Sequence, residues 1–206
     1  LKFHGGSKAL GVIFDISILF WLLVAFGMIV ISDAKSWRWV KQRYWMMLIG
    51  LVLFVPLWLS AGVAQAHNPF LLFYIVLCTS MTDTAAYFIG KSFGTHKMCP
   101  SISPKKTVEG LIGGICVAEC FAIALGFIFQ LPTMHDYIML DIIMFAVIIL
   151  SVFGDLFESI IKRQCDVKDS SNILPGHGGV LDRIDSLIAA LPVAIGLFML
   201  AKLPIF

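Results

Sequence analysis

Residues 139–162 read MLDIIMFAVIILSVFGDLFESIIK. The run 139–160 is long and apolar enough to cross a hydrocarbon core, which takes about 20 apolar residues. Its final turns nevertheless carry Asp155, Glu158, Ser159 and Lys162. These four fall at i, i+3, i+4 and i+7 and share one helical face. A polar stripe at the end of a membrane helix faces protein or water, not lipid. Two readings stay open for it. Glu158 and Lys162 can form an i, i+4 salt bridge that closes the span, or the stripe can be one wall of a site.

Outward from this stretch, five more apolar runs qualify as spans: 10–31, 44–66, 70–90, 108–130 and 186–206. Hydrophobic residues make up 59% of the 206, charged residues 14%, and the mean hydropathy is +0.93. Soluble chains average about 45–50% apolar and about 25% charged. A water-soluble domain and a disordered chain are both excluded, and the expected fold is all-α, a polytopic integral membrane bundle of six helices. Loops 32–43, 91–107 and 161–185 hold four Lys or Arg each, whereas 67–69 and 131–138 hold none. The positive-inside rule makes the basic side cytoplasmic, which sets residues 1–9 outside, against the mild contrary signal of Lys2 and Lys8. Fifteen basic and 13 acidic residues give a net charge of +2, too balanced for a nucleic-acid binder. The five cysteines form no CxxC pair and read as small packing residues.

Carboxylates inside a bilayer each need a partner or a wet cavity. Asp15 and Asp141 sit near outer span ends and can snorkel; Glu119 lies deeper, as a helix-pairing group or a cavity wall. Asp83 lies toward the basic side and recurs with Thr79 and Tyr87 at i, i+4 and i+8. Further on, Pro175-Gly176-His177-Gly178-Gly179 precedes Asp182, Arg183 and Asp185. Two carboxylates three apart at a helix start suit a hard divalent cation such as Mg²⁺ shared with phosphate, and a glycine-rich approach to a helix N-terminus suits phosphate itself. They equally suit the helix dipole alone, with Arg183 as a positive-inside anchor. Lys105, Lys106 and Thr107, in Ser103-Pro104-Lys105-Lys106-Thr107-Val108-Glu109-Gly110, are topology signals, or attract an anionic head group or nucleotide phosphate.

Taken together, Gly154-Asp155-Leu156-Phe157-Glu158-Ser159, Lys162-Arg163, Lys168-Asp169, the 175–179 stretch and Asp182-Arg183-Ile184-Asp185-Ser186 resemble the signature of phosphatidate cytidylyltransferases. Asp83, Tyr87-Phe88, Gly90-Lys91, Phe93-Gly94 and the 103–110 stretch resemble that family's second block. The resemblance covers about 79–190 and implies a catalytic membrane domain over 79–206, preceded by helices in 1–78. It implies CMP transfer from CTP to phosphatidate, with metal on Asp155 and Asp182 and with Asp185 beside them. Phosphate binding falls to Lys105, Lys106, Lys162, Arg163 and Arg183. Thr107, Ser159, His177 and Asp83 occupy matched positions. Mg²⁺ and a monovalent cation such as K⁺ are the implied cofactors, and CTP, phosphatidate and the bilayer the implied partners; a homo-oligomer is compatible with this. The implied place is a bacterial inner membrane with the site facing the cytoplasm. The family's usual member is longer, so a preceding N-terminal part is expected.

Two rivals compete with that reading. A CTP-dependent lipid-alcohol kinase would use a related module and move the γ-phosphoryl instead. An ion-coupled transporter would also need intramembrane acids, but neither inverted repeats nor interrupted spans show in the sequence.

Overall fold

The computed structural model describes residues 7–31, 33–171, 173 and 178–204. Within them six long helices follow one another: α1 Ser7–Val30, α2 Arg43–His67, α3 Pro69–Phe93, α4 Val108–Gly126, α5 Met134–Gln164 and α6 Leu181–Ala201. All six are long and apolar enough to cross a membrane, and the chain is a polytopic helical membrane protein. A short 3₁₀ segment, Ala34–Lys41, joins α1 to α2, and Phe127–Phe129 closes α4 in the same conformation.

Local chemistry sets the boundaries. Asn68 accepts a hydrogen bond from Phe70 N at 3.1 Å, with Pro69 at the first turn of α3. Thr133 and Asp136 form a reciprocal capping box that starts α5 five residues before the apolar run expected from 139. With 31 residues, α5 is about 46 Å long and overshoots the hydrocarbon core. α6 starts at Leu181, so Asp182 and Asp185 lie in its first turns. One element departs from the all-helical expectation. Loop 91–107 contains a hairpin of β1 Lys97–Cys99 and β2 Ser103–Thr107, paired Lys97 with Thr107 and Cys99 with Ser103. Its Pro-Lys-Lys sequence lacks the alternation that announces a strand.

α6 is the axis of the bundle and packs on α1, α2, α3 and α5. Ala189, Ala190, Val193, Ala194, Ile195 and Phe198 are fully buried along it. α3 and α4 form a second, tighter pair. Gly110, Gly114, Ala118, Ala122 and Gly126 are buried at four-residue intervals on α4, a small-residue seam that lets two membrane helices approach closely. Buried hydroxyls return to their own helices: Thr79 to Ile75 O, Thr82 to Cys78 O and Ser151 to Ile148 O. At the end of the bundle that carries the polar stripe, Phe157 of α5 meets Trp21 and Trp37 edge-on, at 6.0 and 6.1 Å between ring centroids. These contacts fix α1 and the 3₁₀ segment against α5.

A side chain at Gly114 would collide with its neighbours, since a Cβ there lies 2.8 Å from Ala86 Cβ and 2.9 Å from Thr82 O. Gly114→Leu is therefore expected to destabilise the protein by about 1–3 kcal/mol, seen as a lower thermal midpoint in detergent. Gly62→Ala, whose added methyl meets nothing within 4 Å, should leave that midpoint in place.

Candidate active site

Four elements deliver charge to one end of the bundle. On α5, Asp155, Glu158 and Lys162 share the face read from their spacing. α6 adds Asp182, Asp185 and Ser186, α3 adds Asp83, and β2 adds Lys106. The approach of α5 to α6 depends on Gly154, where a Cβ would sit 2.7 Å from Asp185 O. Carboxylate oxygens of Asp155, Glu158 and Asp185 lie within 4.8 Å of one another.

Two ammonium groups sit among these acids. Lys106 Nζ is 2.5 Å from Asp155 Oδ2. Lys162 Nζ bridges Glu158 Oε2 of its own helix and Asp182 Oδ1 of α6, the latter at 2.7 Å. The Glu158–Lys162 salt bridge read from the spacing is present. Glu158 is 5% exposed, and its Oε1 receives no hydrogen bond. Ser186 Oγ donates to Asp83 Oδ2 at 2.8 Å, and Ser186 N donates to Asp185 Oδ1 at 2.7 Å. One small side chain therefore ties α3 to the acidic group on α6. Asp83 itself stays exposed, and Thr79 turns back into its own helix.

The structure groups the acids differently from the sequence expectation. Glu158, not Asp182, completes the trio with Asp155 and Asp185 among the described residues. Asp182 Oδ2 accepts from Ser170 N at 2.9 Å, Ser170 Oγ at 2.8 Å and Gly179 N at 2.7 Å. Its other oxygen is on Lys162, so Asp182 fastens the loop before α6 and fixes the position of Lys162. That loop needs glycine: Gly178 has φ +82°, and a Cβ at Gly179 would lie 2.0 Å from Ser170 Oγ.

The other described residues of the expected set lie on the same elements. Thr107 is buried and caps α4 by accepting from Gly110 N. Lys105 is exposed on the face of β2 opposite Lys106. Arg163 is exposed, donates to Ile102 O at 3.4 Å, and lines a separate polar recess with Lys35, Arg38 and Lys41. Arg183 is exposed on the first turn of α6, and Ser159 is half-buried on α5. His177 lies outside the described residues. Glu119 and Asp141 neighbour each other between α4 and α5, about 21 Å along α5 from Asp155, and take no part. Neither the role of Ser170 nor the contact of Ser186 with Asp83 is legible in the sequence. Ser186 stands in the signature stretch 182–186, one turn after Asp182, but its partner there could not be read.

Buried and half-buried carboxylates, interleaved lysines and a glycine-dependent loop at one end of a membrane bundle define a class: membrane-embedded proteins with a charged site suited to phosphates or cations. The comparisons narrow it. The model of the cytidylyltransferase family matches residues 4–201, and the chain belongs to that family. It is similar to the phosphatidate cytidylyltransferase of Bacillus subtilis, 49% identical over 59% of this chain and 44% of that protein. The protein of the same name from Haemophilus influenzae is 40% identical over 80% of this chain and 61% of its own length. That of Pseudomonas aeruginosa is 35% identical over 89% and 67%. The chain therefore spans about half to two thirds of the length of these curated relatives.

Removing the carboxylate that secures both Lys162 and the loop should loosen them together. Asp182→Ala is expected to cost about 1–3 kcal/mol of local stability. The measurement is hydrogen exchange, in which the amides of Ser170 and Gly179 should lose protection while those of mid-α6 keep it.

Proposed function

We propose that this chain transfers CMP from CTP to phosphatidate, giving CDP-diacylglycerol and pyrophosphate. The observation that carries the reading is the meeting of Asp155, Glu158 and Asp185 with Lys106 and Lys162 at one end of the bundle. The names of the relatives support it, as does the family. The groups invoked all fall within 79–206, which we take as the catalytic part. Twelve of the 15 Lys and Arg residues fall in the segments 32–43, 91–107 and 161–185, the connections and adjoining helix ends, which supports a cytoplasmic site, and the bacterial relatives support an inner membrane.

The reaction joins two anions. A phosphatidate phosphate oxygen attacks the α-phosphorus of CTP, the bond from that phosphorus to the β-phosphate oxygen breaks, and pyrophosphate leaves. Such a transfer needs positioning and charge neutralisation, not an activated side-chain nucleophile. Lys106 and Lys162 supply ammonium donors to the phosphate oxygens. Lys162 is fixed by Glu158 and Asp182, so its charge is placed before substrate arrives. Asp83 and Ser186 hold α3 at the edge of the site.

The donor set also fits a divalent metal. Its members are hard carboxylate oxygens from two helices, one of them on a buried Glu158 whose Oε1 lacks a hydrogen bond. Asp155, Glu158 and Asp185 would hold Mg²⁺, whose charge there offsets that developing on the nucleotide phosphates.

Purified protein in detergent and phosphatidate micelles, given CTP labelled at the α-phosphorus, should place label in the lipid phase and release pyrophosphate. Release of CDP with γ-phosphoryl transfer would instead establish the kinase. Asp155→Asn is expected to lower turnover by at least about 100-fold while the protein still inserts and elutes as a folded species. Near-normal turnover would remove Asp155 from the chemistry.

A further inference from the structure

The 3₁₀ segment between α1 and α2, Ala34–Lys41, reads AKSWRWVK. A 3₁₀-helix repeats every three residues and rises about 6 Å per turn. At that spacing Ala34, Trp37 and Val40 form its buried face. Lys35, Arg38 and Lys41, one position further on, form a row of three exposed cations. All three line a recess of about 470 Å³ that Arg163 of α5 also lines. Asp166 is the one acid among the described residues of that lining, so four cations stand against one carboxylate. Its bridge to Lys41, 3.3 Å long, is exposed at both partners and weak in water.

The row is held in place by groups other than the cations. Gln164 Nε2 donates to Ala34 O at 2.5 Å, and Trp37 Nε1 donates to Ile31 O at 3.3 Å. The Trp37 ring also packs edge-on against Phe157 of α5. The cations are thus placed before any ligand arrives, although like charges one turn apart repel. The positive-inside rule accounts for basic residues in this connection. It does not account for their alignment on one edge of the segment, facing a fourth from another helix. Trp39 and Trp45, edge-on at 5.4 Å and both exposed, mark the aromatic belt where the spans meet water. The adjoining recess therefore lies at the level of lipid head groups.

We propose that this recess binds the phosphate of an anionic bilayer phospholipid, at a site separate from the acids and independent of the reaction proposed above. Lys162 and Arg163 are neighbours on α5, yet the first faces the acids and the second the recess. Arg38 and Arg163 offer the planar donor pairs that match phosphate oxygens, and Lys35 and Lys41 add point charges. A phosphate tethered by acyl chains is delivered to this depth by the bilayer itself, whereas soluble phosphates are not.

The test is a binding titration. Purified full-length chain in mild detergent takes up dioleoylphosphatidylglycerol or dioleoylphosphatidylcholine, and bound lipid is counted by native mass spectrometry. The anionic lipid should bind about tenfold tighter or more. Lys35→Gln with Arg38→Gln should weaken it about tenfold or more, whereas Lys91→Gln with Lys97→Gln, two cations on the same side outside the recess, should leave it within about twofold. Equal affinity for the two lipids, no loss in the first pair, or an equal loss in the second overturns the proposal. Asp166→Asn removes the opposing carboxylate and should tighten the anionic lipid about fivefold; unchanged or weaker binding overturns it. Should the double variant fail to accumulate, Asp166→Asn and the comparison of the two lipids still decide. The binding that depends on Lys35 and Arg38 should resist competition by CTP and by inorganic phosphate. Displacement by either makes the recess a site for soluble phosphates and overturns the lipid.

Discussion

Lys162 is held between Glu158 on its own helix and Asp182 on the next, and the charged end of the bundle is organised around that bridge. A half-buried ammonium and a buried carboxylate are each unfavourable at such a position. Set between two carboxylates, the lysine offsets both. The bridge spans the join of α5 and α6, so it also fixes how far the first turn of α6 stands from the last turns of α5. Asp182 then carries the constraint outward, because its second oxygen gathers Ser170 and Gly179.

The same logic repeats at Asp155, where Lys106 arrives from a hairpin instead of from a helix. The acids thus come from three of the helices, α3, α5 and α6, whereas one of the two cations comes from a connection between helices. That division suits a site for anionic substrates. Helices hold the carboxylates at fixed separation, while Lys106 of the hairpin reaches Asp155 and Ser170 and Gly179 of the α5–α6 connection reach Asp182. Glu109 keeps the hairpin in place, accepting from Thr95 N and from His96 N at 3.1 Å each.

Most of the helical frame could be read from hydropathy, because a bilayer demands about 20 apolar residues and leaves little choice of element. The face bearing Asp155, Glu158 and Lys162 followed from helical periodicity within one element. What the sequence concealed were contacts between elements. Asp182 and Asp185 differ by three positions and looked equivalent, yet the first turns to Lys162 and the loop while the second joins Asp155 and Glu158. Only the rotation of α6 against α5, set by the close approach at Gly154, decides between them. The contact of Asp83 with Ser186 spans 103 positions and leaves no local trace. The hairpin escaped because its strands are short and polar and one contains Pro104.

Lys106 belongs to a strand that runs directly into α4, and α4 meets α3 along a seam of glycines, alanines and threonines. Small residues let the two backbones approach closely, so the seam sets how far α4 stands from α3. Lys106, one residue before the Thr107 cap of α4, is 2.5 Å from Asp155. Packing between two helices in the interior of the bundle thus takes part in placing a charge at its end.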